Sequence, residues 1–295
     1  MKIAVLSDIH GNFPALQTVT EDIEKWQPDL VIVNGDIVNR GPLSADCLRL
    51  VQAKMQTDQW QAIRGNHEDF IIACASPNVP HNKPDFELWR FAYFAYQQLN
   101  GDVHSLKSLP KKFSWFAKDG SEFRVRHASM KNNRDGIMLN SSDEELYEQI
   151  APVPAVFVTA HTHRAFIRRF NDSLVVNIGA VGSPFDGDRR ASYGRFTWDR
   201  SGWQAELRRL PYDTAQTEKD YVESGFLQDG GPLAQLMLVE LRRAGGLIYR
   251  WATRYQDAVL AEEIDIADSV RELLKDEDLQ PYLGAPGWEL PQGGV

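Results

Sequence analysis

Along the first third of the chain, apolar and polar positions fall into blocks that predict strand, helix, strand, helix, strand. Residues 2–7 read as a buried strand. Asn12 can cap a helix with Pro14 in its first turn, and Leu16, Val19, Ile23 and Trp26 then share one face. Residues 29–34 form a second apolar run, a helix is expected from about 43 to 55, and residues 61–64 read as a third strand. This order implies a parallel sheet with right-handed crossovers. Ligands of such sheets gather where the carboxyl ends of the strands open.

The pattern then changes. Pro77, Pro80 and Pro84 mark an irregular loop, and residues 85–98 read as a helix rich in aromatics, among them Phe86, Trp89, Phe91, Tyr93, Phe94 and Tyr96. Packing against the core is the expectation for this helix, and a lid over a substrate pocket is the alternative. From Phe113 the periodicity is that of strands: 113–117, 122–126, 155–159, 165–170, 174–178, 193–198 and 203–210, with a hairpin turn at Lys118-Asp119-Gly120-Ser121. Two facing sheets are expected, the second mostly antiparallel. From Thr214 the chain reads as helical, with segments 233–243 and 247–260 on either side of Gly245-Gly246 and a further helix over 261–274. The tail 281–295, rich in Gly and Pro, is expected to be loose. The predicted architecture is α/β: a two-sheet α/β/β/α sandwich over residues 1–212 and a helical C-terminal extension over 213–295.

Composition narrows the function. The 295 residues carry 43% hydrophobic and 25% charged side chains, which excludes a disordered or collagen-like chain. The formal net charge of −9 disfavours a long nucleic-acid track and a basic membrane-surface protein. Cys47 and Cys74 are too few for a disulfide scaffold or a zinc ribbon, and Cys47 sits at helical spacing from Leu48, Val51 and Met55, as a buried thiol would. The apolar opening is too short for a signal peptide, and no segment approaches a membrane span, so the cytoplasm is the expected location.

Six short segments collect most of the metal-capable residues: Asp8-Ile9-His10-Gly11-Asn12, Gly35-Asp36, Gly65-Asn66-His67-Glu68, His127-Ala128-Ser129, Ala160-His161-Thr162-His163, and Asn177-Ile178-Gly179 behind them. In extended backbone, residues two apart point the same way, so Asp8 and His10 can share a metal and His161 and His163 can serve one cluster. Alone, each segment reads as a turn, a cap or a surface stretch. Together they follow successive apolar strands whose ends converge, and they point to a dinuclear metal site. Carboxylate, imidazole and amide oxygen suit Mn, Fe, Co, Ni or Zn, whereas Mg or Ca favours oxygen alone. His81 and His104 lie in the inserted middle region and carry no such context.

The order Asp-x-His, Gly-Asp, Gly-Asn-His-Glu, His, His-x-His resembles the calcineurin-like metallophosphoesterase superfamily, over roughly residues 1–210. The stretch Gly179 to Tyr193 is similar to small bacterial members described as phosphodiesterase-like. Gly35-Asp36-Ile37-Val38-Asn39-Arg40-Gly41-Pro42 and Arg64-Gly65-Asn66-His67-Glu68 look like the Ser/Thr phosphatase and diadenosine tetraphosphatase branch. The resemblance implies that Asp8, His10 and His163 hold one metal, that Asn66, His127 and His161 hold another, and that Asp36 bridges them. It implies that His67 is the general acid or a transition-state hydrogen-bond donor and that Arg40 binds phosphate. Two such cations, roughly 3.5–4 Å apart, acidify a bridging water whose hydroxide attacks phosphorus in line. The guanidinium of Arg40 could grip two phosphoryl oxygens at once.

Three positions depart from the pattern. Asn39 stands where the phosphatase branch has an aspartate partnering the catalytic histidine, and an amide stabilises an imidazolium less than a carboxylate does. Ala128 and Ala160 stand where glycine is usual, at a cost of order 1 kcal/mol or more wherever a positive φ is required. Among the remaining basic residues, Arg189 is the better phosphate candidate. The leading expectation is a dinuclear metal-dependent phosphoesterase acting on a small phosphodiester or phosphomonoester. The alternatives are a Ser/Thr protein phosphatase or dinucleoside polyphosphate hydrolase, and a metal-bound scaffold that is not an enzyme. A homodimer contact through the helical extension is a further expectation.

Overall fold

The computed structural model describes residues 1–79, 82 and 84–284. Pro80, His81 and the tail from residue 285 lie outside the described residues. The chain runs β1 (Lys2–Leu6), α1 (Phe13–Trp26), β2 (Leu30–Asn34), α2 (Ser44–Thr57), β3 (Gln61–Ile63), α3 (Asn66–Cys74), α4 (Asp85–Gln98) and α5 (His104–Ser108). It continues through β4 (Phe113–Phe116), β5 (Glu122–Val125), α6 (Asp143–Ile150), β6 (Val156–Thr159), β7 (Phe166–Phe170), β8 (Ser173–Asn177), β9 (Ala191–Asp199) and β10 (Gly202–Leu210). It ends in α7 (Thr214–Glu223), α8 (Phe226–Asp229), α9 (Leu233–Arg243), α10 (Ile248–Leu260), α11 (Ile266–Leu274) and a 3-10 turn (Glu277–Tyr282).

Two five-stranded sheets face each other, ordered β10-β9-β1-β2-β3 and β4-β5-β6-β8-β7. The three expected parallel strands pair as expected, Ile3 opposite Leu30 and Ile32 opposite Gln61. Two expectations are corrected. Strands β9 and β10 belong to the first sheet, where β9 runs antiparallel to β1 with Val5 opposite Gly194. The second sheet is mixed rather than mostly antiparallel: β5 with β6 and β6 with β8 are parallel, and β4 and β7 run antiparallel at its edges.

Strand alternation assigns the layers. Ile3, Val5, Ile32 and Ile63 face Phe123, Val125, Val156, Val158 and Val176 across the sandwich. The intervening residues of the first sheet, Ala4, Leu6, Val31, Val33 and Ala62, face the helices. Behind the second sheet, Phe157 and Val175 pack on Leu146 and Ile150 of α6. The helical core is continuous from Leu16 and Val19 of α1 to Leu238, Trp251 and Leu273 of the extension. Asn12 caps α1 by accepting from the Ala15 N–H and also accepts from the Thr217 hydroxyl of α7. The aromatic helix α4 takes the packing role: Phe91, Ala92, Phe94 and Ala95 lie in that core, and Phe94 meets Phe226 of α8. The last long helix begins at Ile266, not at 261, because Asp265 caps it. Pro281 lies within the 3-10 turn rather than in a loose tail. Both cysteines are buried free thiols, and none of the described helices is long and apolar enough to cross a membrane.

Phe123 is fully buried between the sheets, against Phe196 and Trp203. Phe123→Ala is expected to cost about 3–5 kcal/mol, the range for an aromatic deleted from a core. Chemical denaturation is expected to show a lower midpoint at unchanged slope.

Candidate metal centre

Five of the metal-capable residues follow a strand end by two or three positions, Asp8 after β1, Asp36 after β2, Asn66 after β3, His127 after β5 and His161 after β6, and His10 and His163 follow β1 and β6 by four. Pairing continues past the strands and draws these loops together. The Asp8 N–H donates to the Gly35 carbonyl, the His10 N–H to the Asp36 carbonyl and the Ala160 N–H to the His127 carbonyl. The loops approach so closely that a Cβ on Gly65 would sit 2.2 Å from Asp36 Oδ1, which leaves room for glycine alone.

Five of the seven candidate ligand positions take the left-handed backbone region: Asp8, His10, Asp36, His161 and His163, with φ between 49° and 64°. Asp and His enter that region more readily than bulky residues, yet each such residue stores about 1–3 kcal/mol. Ala128 and Ala160 do not have positive φ, so the strain expected there is absent. The strain lies on the ligands themselves.

All seven come together. Asp8, His10, Asp36 and His163 present ligand atoms within 4.8 Å of one another, as do Asp36, His127 and His161. Asn66 Oδ1 lies 3.0 Å from His127 Nε2 and 2.9 Å from His161 Nδ1. Asp36 is common to both groups, as a bridge must be. His163 Nδ1 donates to the Ser183 carbonyl at 2.5 Å, and His127 Nδ1 donates to the Asn34 carbonyl at 2.8 Å. Those bonds place a proton on Nδ1 and aim Nε2 into the centre. His163 Nε2 then faces Asp8 Oδ1 at 3.3 Å, and His127 Nε2 faces Asp36 Oδ2 at 3.2 Å. Asp8 Oδ1 and Asp36 Oδ2 are buried without a hydrogen-bond donor. Buried carboxylate oxygens with so few donors are costly, and positive charge satisfies them, either as a proton on a neighbouring imidazole or as metal cations. The donor set therefore fits two transition-metal ions.

Charge follows this geometry. Burial opposes ionisation of Asp36, but His127 and His67 beside it hold its carboxyl well below the usual range. Burial likewise opposes charge on His127, but Asp36 and Asp8 beside it push it up to about 10. Burial, with His127 next to it, lowers His161 to about 4. Burial also holds His10 well below the usual imidazole range, helped by His67 and His163.

The surrounding side chains fix the loop after β2. Glu68, fully buried on α3, accepts N–H bonds from Asp36, Ile37 and Gly65 at 2.7–2.8 Å. His67 donates its backbone N–H to Asp36 Oδ1 at 2.8 Å. Asn39 occupies the position of a histidine partner, with its side-chain nitrogen 2.9 Å from His67 Nδ1. Its orientation is set because Asn39 Oδ1 accepts the Arg40 N–H at 2.9 Å. The amide nitrogen therefore donates to His67 Nδ1, and the histidine carries its proton on Nε2. Burial lowers His67 to about 3, so the ring is neutral. Arg189 does not reach the centre. It pairs with Glu218 of α7, 3.4 Å away. His104 is exposed at the start of α5.

Sequence reasoning missed three neighbours of the centre. Phe185 stacks on His163 with ring centroids 4.3 Å apart. Phe70 lies 5.4 Å from His67 and is flanked by Trp89 of α4. Glu240 of α9 reaches Arg40. None belongs to a local motif, although Phe185 falls within the Gly179–Tyr193 stretch.

A family model described as calcineurin-like phosphoesterase matches residues 1–178. The chain belongs to that family. An uncharacterized protein of Methanocaldococcus jannaschii is 26% identical over 246 residues, covering 75% of this chain and 92% of that protein. A symmetrical bis(5'-nucleosyl)-tetraphosphatase of Actinobacillus succinogenes is 35% identical over 77 residues, 25% of this chain and 27% of that enzyme. The crystal structure of a metallophosphoesterase from Sphaerobacter thermophilus superposes with a TM-score of 0.64 at 24% identity, covering 83% of this chain and all of that one.

Metal analysis of protein reconstituted with Mn²⁺ is expected to give two ions per wild-type chain and one per His161→Ala chain. Chelation is expected to lower the melting temperature of the wild type, because it strips the cations from buried carboxylates and strained ligands.

Proposed function

We propose that the chain is a dinuclear metal-dependent hydrolase of a small phosphate ester, either a phosphodiester or a phosphomonoester. The observation that carries this reading is the pair of donor-free buried oxygens, Asp8 Oδ1 and Asp36 Oδ2, set among four imidazoles. When bound, two cations supply Lewis acidity that activates water and offsets phosphate charge. Asp8, His10 and His163 would hold one and Asn66, His127 and His161 the other, with Asp36 common to both groups. Arg40 contributes N–H donors to a phosphoryl oxygen. His67, neutral and protonated on Nε2, donates a hydrogen bond to the leaving oxygen rather than acting as a strong acid. No residue has to form a covalent phospho-enzyme. Mn, Fe, Co, Ni and Zn all suit the donors. Two buried, unpaired thiols agree with a reducing compartment such as the cytoplasm.

A second reading takes a dinucleoside polyphosphate as substrate. It is favoured by the likeness to the tetraphosphatase and by a cavity of about 220 Å³ alongside His127, lined by Lys111, Arg126, Lys131 and Asn132. A further phosphate could be accepted there.

The reading is tested with metal-stripped protein, added Mn²⁺, and bis-p-nitrophenyl phosphate beside p-nitrophenyl phosphate. Metal-dependent hydrolysis that is abolished in Asp36→Ala is expected, and the faster substrate chooses diester or monoester. Two bound metals with no hydrolysis of either ester or of diadenosine tetraphosphate would overturn it in favour of a scaffold.

Asn39→Asp tests the role of His67. A carboxylate there accepts a proton from Nδ1 and favours the imidazolium, a stronger acid toward the leaving oxygen. Turnover of alkyl phosphate esters is expected to rise, by up to about 10²-fold, the lower end of general-acid gains. The p-nitrophenyl esters, whose leaving group needs little protonation, are expected to change far less.

A further inference from the structure

Arg40 lies in the strained loop after β2 with φ 63°, and its side chain is only 12% exposed. Its Nη2 donates to Glu240 Oε2 at 2.5 Å. Glu240 is 200 residues away on α9, and its side chain is 1% exposed. The other oxygen, Oε1, accepts the N–H groups of Leu247 and Ile248, at 2.5 and 2.9 Å, in the turn that leads into α10. Glu240 is thus fixed at one oxygen by backbone and engages Arg40 with the other. It cannot swing aside without leaving the buried Leu247 N–H and the half-buried Ile248 N–H unpaired. Among the described residues the bond to Glu240 uses Nη2, which leaves the Nη1 donors for another acceptor. The same turn braces the opposite side. Gly246 packs so closely on Phe185 that a Cβ there would lie 3.3 Å from its ring. Phe185 in turn stands between His163 and the Arg40 guanidinium, whose carbon is 5.7 Å from the ring centre.

We infer that Glu240 is a positioning residue that holds Arg40 in the aim required to receive a phosphoryl group, making the C-terminal helices a working part of the centre. This rests on the reading of Arg40 as the phosphate-binding arginine. Glu240 takes one end of the guanidinium and leaves the remaining N–H donors for phosphate. A long, flexible cation in a loop loses rotamer freedom when it binds, and an anchored one has lost it already.

Glu240→Gln separates this role from folding. The amide oxygen keeps the Leu247 and Ile248 N–H bonds, while the amide nitrogen turns a donor toward Arg40 and repels it. The test compares wild type, Glu240→Gln, Arg40→Ala and the double variant, all loaded with Mn²⁺. It measures inorganic phosphate binding by calorimetry, kcat and KM on bis-p-nitrophenyl phosphate, and melting temperature. Glu240→Gln is expected to weaken phosphate binding roughly 10- to 100-fold, the scale of a displacement of about 1 Å in a binding group. KM is expected to rise more than kcat falls, and the melting temperature is expected to drop in Glu240→Gln but not in the double variant, where no guanidinium is left unpaired. In the Arg40→Ala background the same substitution is expected to change phosphate binding by less than about twofold. Equal losses in both backgrounds, or unaltered phosphate binding in Glu240→Gln, would overturn the inference. Phosphate binding decides it even if no ester is hydrolysed, in which case the proposed activity fails separately.

Discussion

One buried negative charge organises this protein. The side chain of Asp36 is almost wholly buried, shared by both metal-capable groups, and hydrogen-bonded on Oδ1 but not on Oδ2. A carboxylate in that position is tolerable only if its surroundings hold it from every side. Glu68 grips the Asp36 backbone N–H, the His67 backbone N–H grips Oδ1, and Gly65 allows the approach by lacking a side chain. Glu68 is itself a buried carboxylate, pushed up to about 7 by burial and by Asp36. Its backbone donors offset part of that cost. The close approach of the β2 and β3 ends follows from this arrangement, and so does the placement of Asn66 and His67 at the first turn of α3.

The strain has the same origin. Left-handed backbone at Asp8, His10, Asp36, His161 and His163 is the consequence of turning ligand atoms inward from loops that continue the strand pairing. Packed sheets resist this relaxation from below. Fully buried Val5, Ile32, Val125 and Val158 lie just before the ligand-bearing loops, so a shift in the loops would disturb the sandwich interior. Strain at the ligands and order in the core are therefore two sides of one arrangement.

What was legible in the sequence is what neighbouring residues encode. The apolar and alternating runs located the ten strands found among the described residues, and the short polar motifs near their ends marked the seven metal-capable residues that the structure gathers into one centre, because each lies within a few residues of its strand. Sheet membership of β9 and β10 was not legible, since the pairing of Val5 with Gly194 is a tertiary choice. The short helix α6 was overlooked although Ser142 and Glu145 offered a cap signal, and the Ser142 hydroxyl accepts the Glu145 N–H. Glu240 was invisible for a deeper reason. On α9 it is one acidic residue among apolar ones, and it gains meaning only where the fold brings it to Arg40.

Residues 39 and 40 show how local identity and distant contact combine. At Asn39 an amide replaces the carboxylate of the phosphatase branch, so His67 loses a negative partner and stays neutral. At Arg40 a carboxylate arrives from α9, so the guanidinium gains a negative partner and is largely compensated. Negative charge has in effect moved from the histidine to the arginine. The ion pair between Arg40 and Glu240 is nearly buried, where its value lies less in net stability than in fixed geometry. Two groups that would carry positive charge toward a phosphate thus become directional donors with little net charge. In a chain of net charge −9, the proposed reading leaves the attraction of an anionic substrate mainly to the cations that Asp8, Asp36 and the four histidines would hold. On that reading Asn39 and Glu240 govern orientation, and the metal-capable residues govern charge.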